Sequence, residues 1–141
     1  MSAAVGDIAG SSYEGRTHRT KDYAAVKLFS SRAKFTDDTV LTFACAEAFL
    51  DGKDMAWLSS HDMKPYGSFG NGSAMRCSSA GWLATSESEC IRLATETASP
   101  THNHPEGIKG AVATALAIYY LKNGADKAFI RERVLNAYYP E

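Results

Sequence analysis

The sequence predicts an all-α fold, and three observations carry that reading. Valine and isoleucine are few, and no window alternates apolar and polar residues in the two-residue period of a strand. Apolar residues recur instead at helical spacing, as in Val40, Leu41, Phe43, Ala44, Ala46, Phe49 and Leu50. Start and stop signals also punctuate the chain where helices need them: Thr36-Asp37, Ser86 and Pro105 before apolar runs, Gly52, Pro100 and Gly124 after them.

Taken in order, residues 2–14 mix small and apolar side chains and read as a buried helix start. Residues 16–32 are polar and irregular, and read as loop. Thr36 or Asp37 then caps a helix that runs to about Leu50 and stops at Asp51-Gly52. A short helix is expected within 54–61. The stretch PYGSFGNG, residues 65–72, holds three glycines and reads as loop. A helix starts near Ser73 and carries Met75, Trp82 and Leu83. Ser86, three residues before Glu89, makes a capping-box pattern for a helix through Ala98, which Pro100 stops. Pro105 sits where a helix start tolerates proline, and Ile108 to Leu121 reads as a buried helix closed by Gly124. A last helix is expected from Asp126 to about Ala137.

The chain of 141 residues suffices for one compact domain, residues 1–141, with a core of its own. It is 45% hydrophobic and 22% charged, with a formal net charge of −1. Nothing in that balance offers the basic field that nucleic-acid binding requires. Cys45, Cys77 and Cys90 form an odd set without C-x-x-C spacing, which argues for free thiols in a reducing compartment and so for the cytoplasm. Neither a signal peptide nor a membrane-length apolar run is legible.

Four stretches carry candidate chemistry. In KFTDDTVLT, Asp37 and Asp38 stand side by side after Thr36. Like charges repel, and a hard cation that prefers oxygen ligands would relieve this while using the Thr36 hydroxyl. The plainer alternative is one capping aspartate and one that complements the helix dipole. In GDIAGSSYE, Asp7 and Glu14 lie seven apart and would share a face if one helix carried both; an acid among small residues suggests close approach to a metal or substrate, and a glycine-eased helix crossing with solvated acids is the plainer alternative. In YGSFGNGSAMR, Gly67, Gly70 and Gly72 allow backbone amides to converge on an anion such as a diphosphate, and a Cβ at Gly72 would crowd it and restrict φ. No strand precedes this run, so it is not a dinucleotide fingerprint, and a plain flexible loop is its alternative. In THNHPEGIKG, His102 and His104 precede a helix and are placed to bind metal, to polarise a substrate or to cap. The letters H-N-H there lack the strand context of a nuclease motif.

In this order, G-D-x-x-G-S-x-Y-E, F-T-D-D-T, Y-G-S-F-G-N-G-S-A-M-R and T-H-N-H-P-E-G resemble the ADP-ribosylglycohydrolase family, which includes the dinitrogenase reductase-activating glycohydrolase and crystallin J1 types. The resemblance spans most of residues 5–124. It implies a compact helical bundle of that type and a centre of two Mg²⁺ ions (Mn²⁺ in some members). It implies Mg-dependent hydrolysis of an ADP-ribosyl bond, releasing ADP-ribose from a modified protein or small conjugate. Carried over residue by residue, Thr36, Asp37 and Asp38 match metal ligands, with the acid pair also catalytic. Glu14 matches the acid near the scissile bond. Gly70, Asn71, Gly72 and Ser73 match the loop around the diphosphate and distal ribose. His102 and His104 match a second substrate-side segment. Met75 and Arg76 belong to the motif as braces. The C-terminal acidic motif of the family, G-[DG]-D-[ST]-D-T, is not found before Glu141, so the second half of the metal site is expected to be missing and turnover by these residues alone to be low. A non-catalytic ADP-ribose-binding module and a structural protein of crystallin J1 type are the alternatives.

Overall fold

The computed structural model describes residues 2–14, 20–58 and 64–139, and among them regular structure is helical, with no strand. Helix α1 spans Ser2–Gly10, followed by 3-10 turns at Ser11–Tyr13 and Tyr23–Ala25. Helix α2 spans Asp37–Leu50, and a 3-10 turn covers Ala56–Leu58. Then come α3 (Gly72–Arg76), α4 (Ser78–Leu83), α5 (Glu87–Ala98) and α6 (Pro105–Lys122). The chain closes with α7 (Lys127–Ile130), a π turn (Arg131–Leu135) and α8 (Asn136–Tyr138).

Helix α6 is the axis of the fold, because α3, α4, α5 and the π turn all pack on it. Its inward residues are small: Ala111, Ala113 and Ala115 stand beside Val112 and Leu116. Small side chains let neighbouring helices approach closely. The limit is reached at Gly81 in α4, where a Cβ would lie 2.5 Å from the Ala115 carbonyl oxygen. A smaller cluster of Cys45, Ala48 and Met55 joins α2 to the following turn, and Phe49 packs against both clusters.

Most boundaries fall where capping chemistry puts them. Ser86 accepts from the Glu89 amide at 3.1 Å, while Glu89 reaches back one residue further, to the Thr85 amide and hydroxyl. His104 caps α6 and Pro105 occupies its first turn, so this helix starts earlier than Ile108. Asp126 caps α7 by accepting from the Phe129 amide at 2.8 Å.

Four expectations need correction. Helix α1 carries no buried residue. Alanines and glycines offer too little apolar area to bury, and polar contacts hold the segment instead. The helix after the glycine loop is broken at Cys77 into α3 and α4, with the Cys77 thiol facing the Ala74 and Ala111 carbonyls. The last helix is interrupted by the π turn, which carries Val134 into the core. The expected short helix within 54–61 is a 3-10 turn at Ala56–Leu58, and residues 59–61 lie outside the described residues.

Candidate functional site

The start of α2 is fixed from outside the helix. Thr36 is extended, and its hydroxyl oxygen accepts from the Asp38 amide at 3.3 Å. Asp7, on α1, then straps this turn. Its carboxylate accepts from the Thr36 amide (2.8 Å), the Thr36 hydroxyl (2.7 Å), the Thr39 amide (3.2 Å) and the Thr39 hydroxyl (2.5 Å). Partial desolvation pushes the Asp7 carboxyl up, but these donors outweigh it and hold its pKa at about 2.

Asp38 moves the other way. Desolvation, and then the charges of Asp7 and Asp37, raise its pKa above the ordinary carboxylate value. Three carboxylates are thus gathered at one helix start, and one of them is already spent on four hydrogen bonds. Among the described residues, no group of three or more His, Cys, Asp or Glu side chains is placed to share a metal ion. The donors that remain, Asp37, Asp38 and the Thr36 oxygen, are all hard oxygens, and the crowded charge at Asp38 is what a cation would relieve. By donor type they suit a hard divalent cation, with water completing its shell. Glu14 is exposed at the end of the 3-10 turn. Because α1 ends at Gly10, Asp7 and Glu14 do not share a helical face.

The glycine loop and the histidine segment form one unit. Ser73 is buried, and its hydroxyl donates to the Gly107 carbonyl at 2.7 Å. A Cβ on Gly107 would lie 2.5 Å from the Ser68 carbonyl oxygen and 3.0 Å from the His102 Cβ. A Cβ on Gly72 would lie 2.9 Å from His102 Cε1 and 3.1 Å from Nε2. Crowding by His102, and not a left-handed backbone, is therefore what requires glycine at 72; the positive φ in this loop belongs to Gly67, at +66°. Tyr66 lies over His102 at 6.3 Å and Phe69 over His104 at 5.2 Å between ring centroids.

The individual placements differ in kind. Gly70 and Asn71 are exposed at the loop tip, and Gly72 is half-buried behind them. Ser73 is committed to Gly107 and acts as a brace between the two segments. His104 is exposed, and its Nδ1 accepts from the Glu106 amide at 3.1 Å, so it is the cap of α6. His102 is buried, and burial together with the Arg76 charge lowers its pKa, which keeps the ring neutral near pH 7. Thr42, one turn beyond Asp38, donates to the Met75 carbonyl at 3.1 Å and so docks α2 onto α3. The acid pair and the glycine loop are therefore carried by packed elements.

Sequence reasoning missed two features. Asp7 stood out only as a possible ligand, yet it is the strap of α2. Arg76 is buried, with Nε and Nη2 donating to the Thr97 carbonyl at 2.9 and 2.7 Å and Nη2 donating to Thr101 Oγ1 at 2.6 Å. The motif marked Arg76 as a brace, but its burial and its partners were not legible in the sequence. A groove of about 520 Å³ lies elsewhere, between Ala3, Phe43, Trp82 and Leu121, and is lined by none of the candidate site residues.

A family model described as ADP-ribosylglycohydrolase matches residues 52–141. The match contains the glycine loop, Arg76 and the segment with His102 and His104, and begins after the acid pair. No curated protein and no solved structure matches the chain.

Proposed function

The chain belongs to the ADP-ribosylglycohydrolase family, and from that premise we propose that it releases ADP-ribose from a modified protein or small conjugate with the help of a divalent cation. Membership supports hydrolysis of ADP-ribosyl bonds in general. The observation that carries the finer reading is the docking of a glycine loop, braced by Ser73–Gly107 and His102, onto the helix that begins with the acid pair.

In this reading Gly70, Asn71 and Gly72 hold the diphosphate through backbone amides, so that remote binding energy places the anomeric carbon. His102 supports that loop from below. Asp37, Asp38 and the Thr36 oxygen would hold one cation, Mg²⁺ or Mn²⁺, which when bound would orient ribose hydroxyls and make water more acidic. Asp7 keeps their helix start in place. Glu14, exposed after α1, is assigned to orient the attacking water or accept its proton as the glycosidic bond breaks. The three unpaired cysteines support a reducing, cytoplasmic setting.

A second reading, an ADP-ribose-binding module without turnover, is favoured by one observation: α3 and α6 build the loop unit between themselves. Titration calorimetry with Mn²⁺ and with ADP-ribose, on the parent protein and on Asp37→Asn and Asp38→Asn, separates the cases. Both variants should lose Mn²⁺ and stay folded. Chelator-sensitive release of ADP-ribose from a modified peptide then supports the hydrolase, and tight binding without release supports the module. Binding of neither Mn²⁺ nor ADP-ribose overturns both readings.

A further inference from the structure

Beneath the loop runs a buried polar chain whose internal contacts no sequence motif assigns. Arg76 is 3% exposed, Thr101 8% and His102 5%. Arg76 Nη2 donates to Thr101 Oγ1 at 2.6 Å, and Thr101 Oγ1 lies 2.7 Å from His102 Nδ1. The guanidinium is anchored on the Thr97 carbonyl by two further bonds, so it does not swing away.

Each atom in this chain has a limited role to play. Arginine only donates, so the Thr101 oxygen accepts from it. The hydroxyl keeps one proton of its own. If Nδ1 carried the ring proton, Thr101 would accept twice and its own proton would be left without a partner in a buried site, which is costly. If Nδ1 is bare, Thr101 donates to it, and both the hydroxyl proton and Nδ1 are satisfied. The arginine also polarises the hydroxyl and makes it the better donor. A protonated ring would place a second cation next to Arg76, away from water. The ring proton then belongs on Nε2. No hydrogen bond joins that atom to another described residue, and it lies on the edge of the ring that faces Gly72.

We infer that Thr101 and Arg76 are positioning residues that lock His102 as the neutral Nε2–H tautomer, so that the floor of the glycine loop presents a fixed, uncharged N–H donor to an anionic oxygen of the ligand. This rests on the reading of the loop as the diphosphate site. An uncharged donor suits that place, because binding then does not depend on a proton being taken up.

Nitrogen-15 chemical shifts of labelled histidine in the ligand-free protein test the tautomer directly, with no need for activity. Nδ1 of His102 should have the shift of a bare ring nitrogen and Nε2 that of a protonated one. Thr101→Val should give averaged shifts and weaken ADP-ribose binding about fivefold, the loss of one neutral hydrogen bond. Thr101→Ser should restore both. A protonated Nδ1 in the parent protein overturns the inference, whether or not the valine variant folds. So does a serine variant that folds without restoring the parent shifts. If the tautomer is as inferred but ADP-ribose does not bind, the functional reading fails and the lock stands.

Discussion

Replacing Asp7 with alanine should detach the first helix and loosen the turn that carries the acid pair. Helix α1 buries no residue, so its place depends on polar contacts, and Asp7 alone accepts four of them from Thr36 and Thr39. A lost cap bond costs about 1 kcal/mol. Four bonds to one partly solvated carboxylate are not additive, so the expected loss is about 2–4 kcal/mol. With a urea slope of about 1.5–2 kcal/mol/M, the unfolding midpoint should fall by roughly 1–2 M. Asp7→Asn keeps one carbonyl acceptor and sets an amide against the donors of Thr36 and Thr39, so it should cost nearly as much. Acid should erase the difference. The folded carboxyl titrates at about 2, against an ordinary value of 3.8. Its folded pKa is depressed, so the contribution is fully present above the unfolded value and is lost as pH falls toward 2. Urea unfolding in chelating buffer, followed by circular dichroism, should show a constant gap between parent and Asp7→Asn at about pH 5–7 that closes below about pH 4. A midpoint shift of only a few tenths molar for Asp7→Ala, or a gap that stays open at low pH, would refute the strap.

Other outcomes follow from the same geometry. Asp38→Asn should leave stability unchanged or raise it by a few tenths of a kcal/mol above about pH 5, since it removes a charge repelled by Asp7 and Asp37; thermal melts in chelator decide this, and a clear loss would mean that Asp38 holds the helix start. Gly81→Ala and Gly107→Ala both drive a Cβ to within 2.5 Å of a carbonyl oxygen and should each cost about 1–3 kcal/mol by urea unfolding. Only Gly107→Ala should abolish ADP-ribose binding, because only there does the loop have to move. Burial raises the thiol pKa values to about 11 at Cys45, 12 at Cys77 and 11 at Cys90. A thiol reagent at neutral pH should therefore label none of them quickly in the native protein and all three in denaturant. Acidification should also tax His102: its folded pKa is depressed, so that part of stability is intact above the ordinary histidine value and disappears as pH falls through the folded one. Parent and His102→Gln melts should converge in that window.

Helix α2 was legible almost to the residue, because its signals are local: a threonine with the geometry to cap, an apolar period, and a glycine at the stop. The same holds for α5 and for the proline-led start of α6. The motifs also showed which family the chain resembles, since side-chain types at set spacing are a property of the chain alone. Partners were not legible. The spacing of Asp7 from Thr36 and Thr39 says nothing about contact, and only the packing of α1 against α2 turns a candidate ligand into a strap. Gly72 is glycine because His102 stands against it, some thirty residues away in the chain. The break at Cys77 and the π turn at Arg131–Leu135 are likewise settled by docking on α6, which local propensity does not describe. Arg76, an exposed residue by composition, becomes the buried end of a chain to His102 because its donors meet the Thr97 carbonyl and the Thr101 hydroxyl only after α3 and α5 have packed. Hydrogen-bonding capacity is written in the sequence; which groups satisfy one another inside the fold is decided by the distances that packing creates.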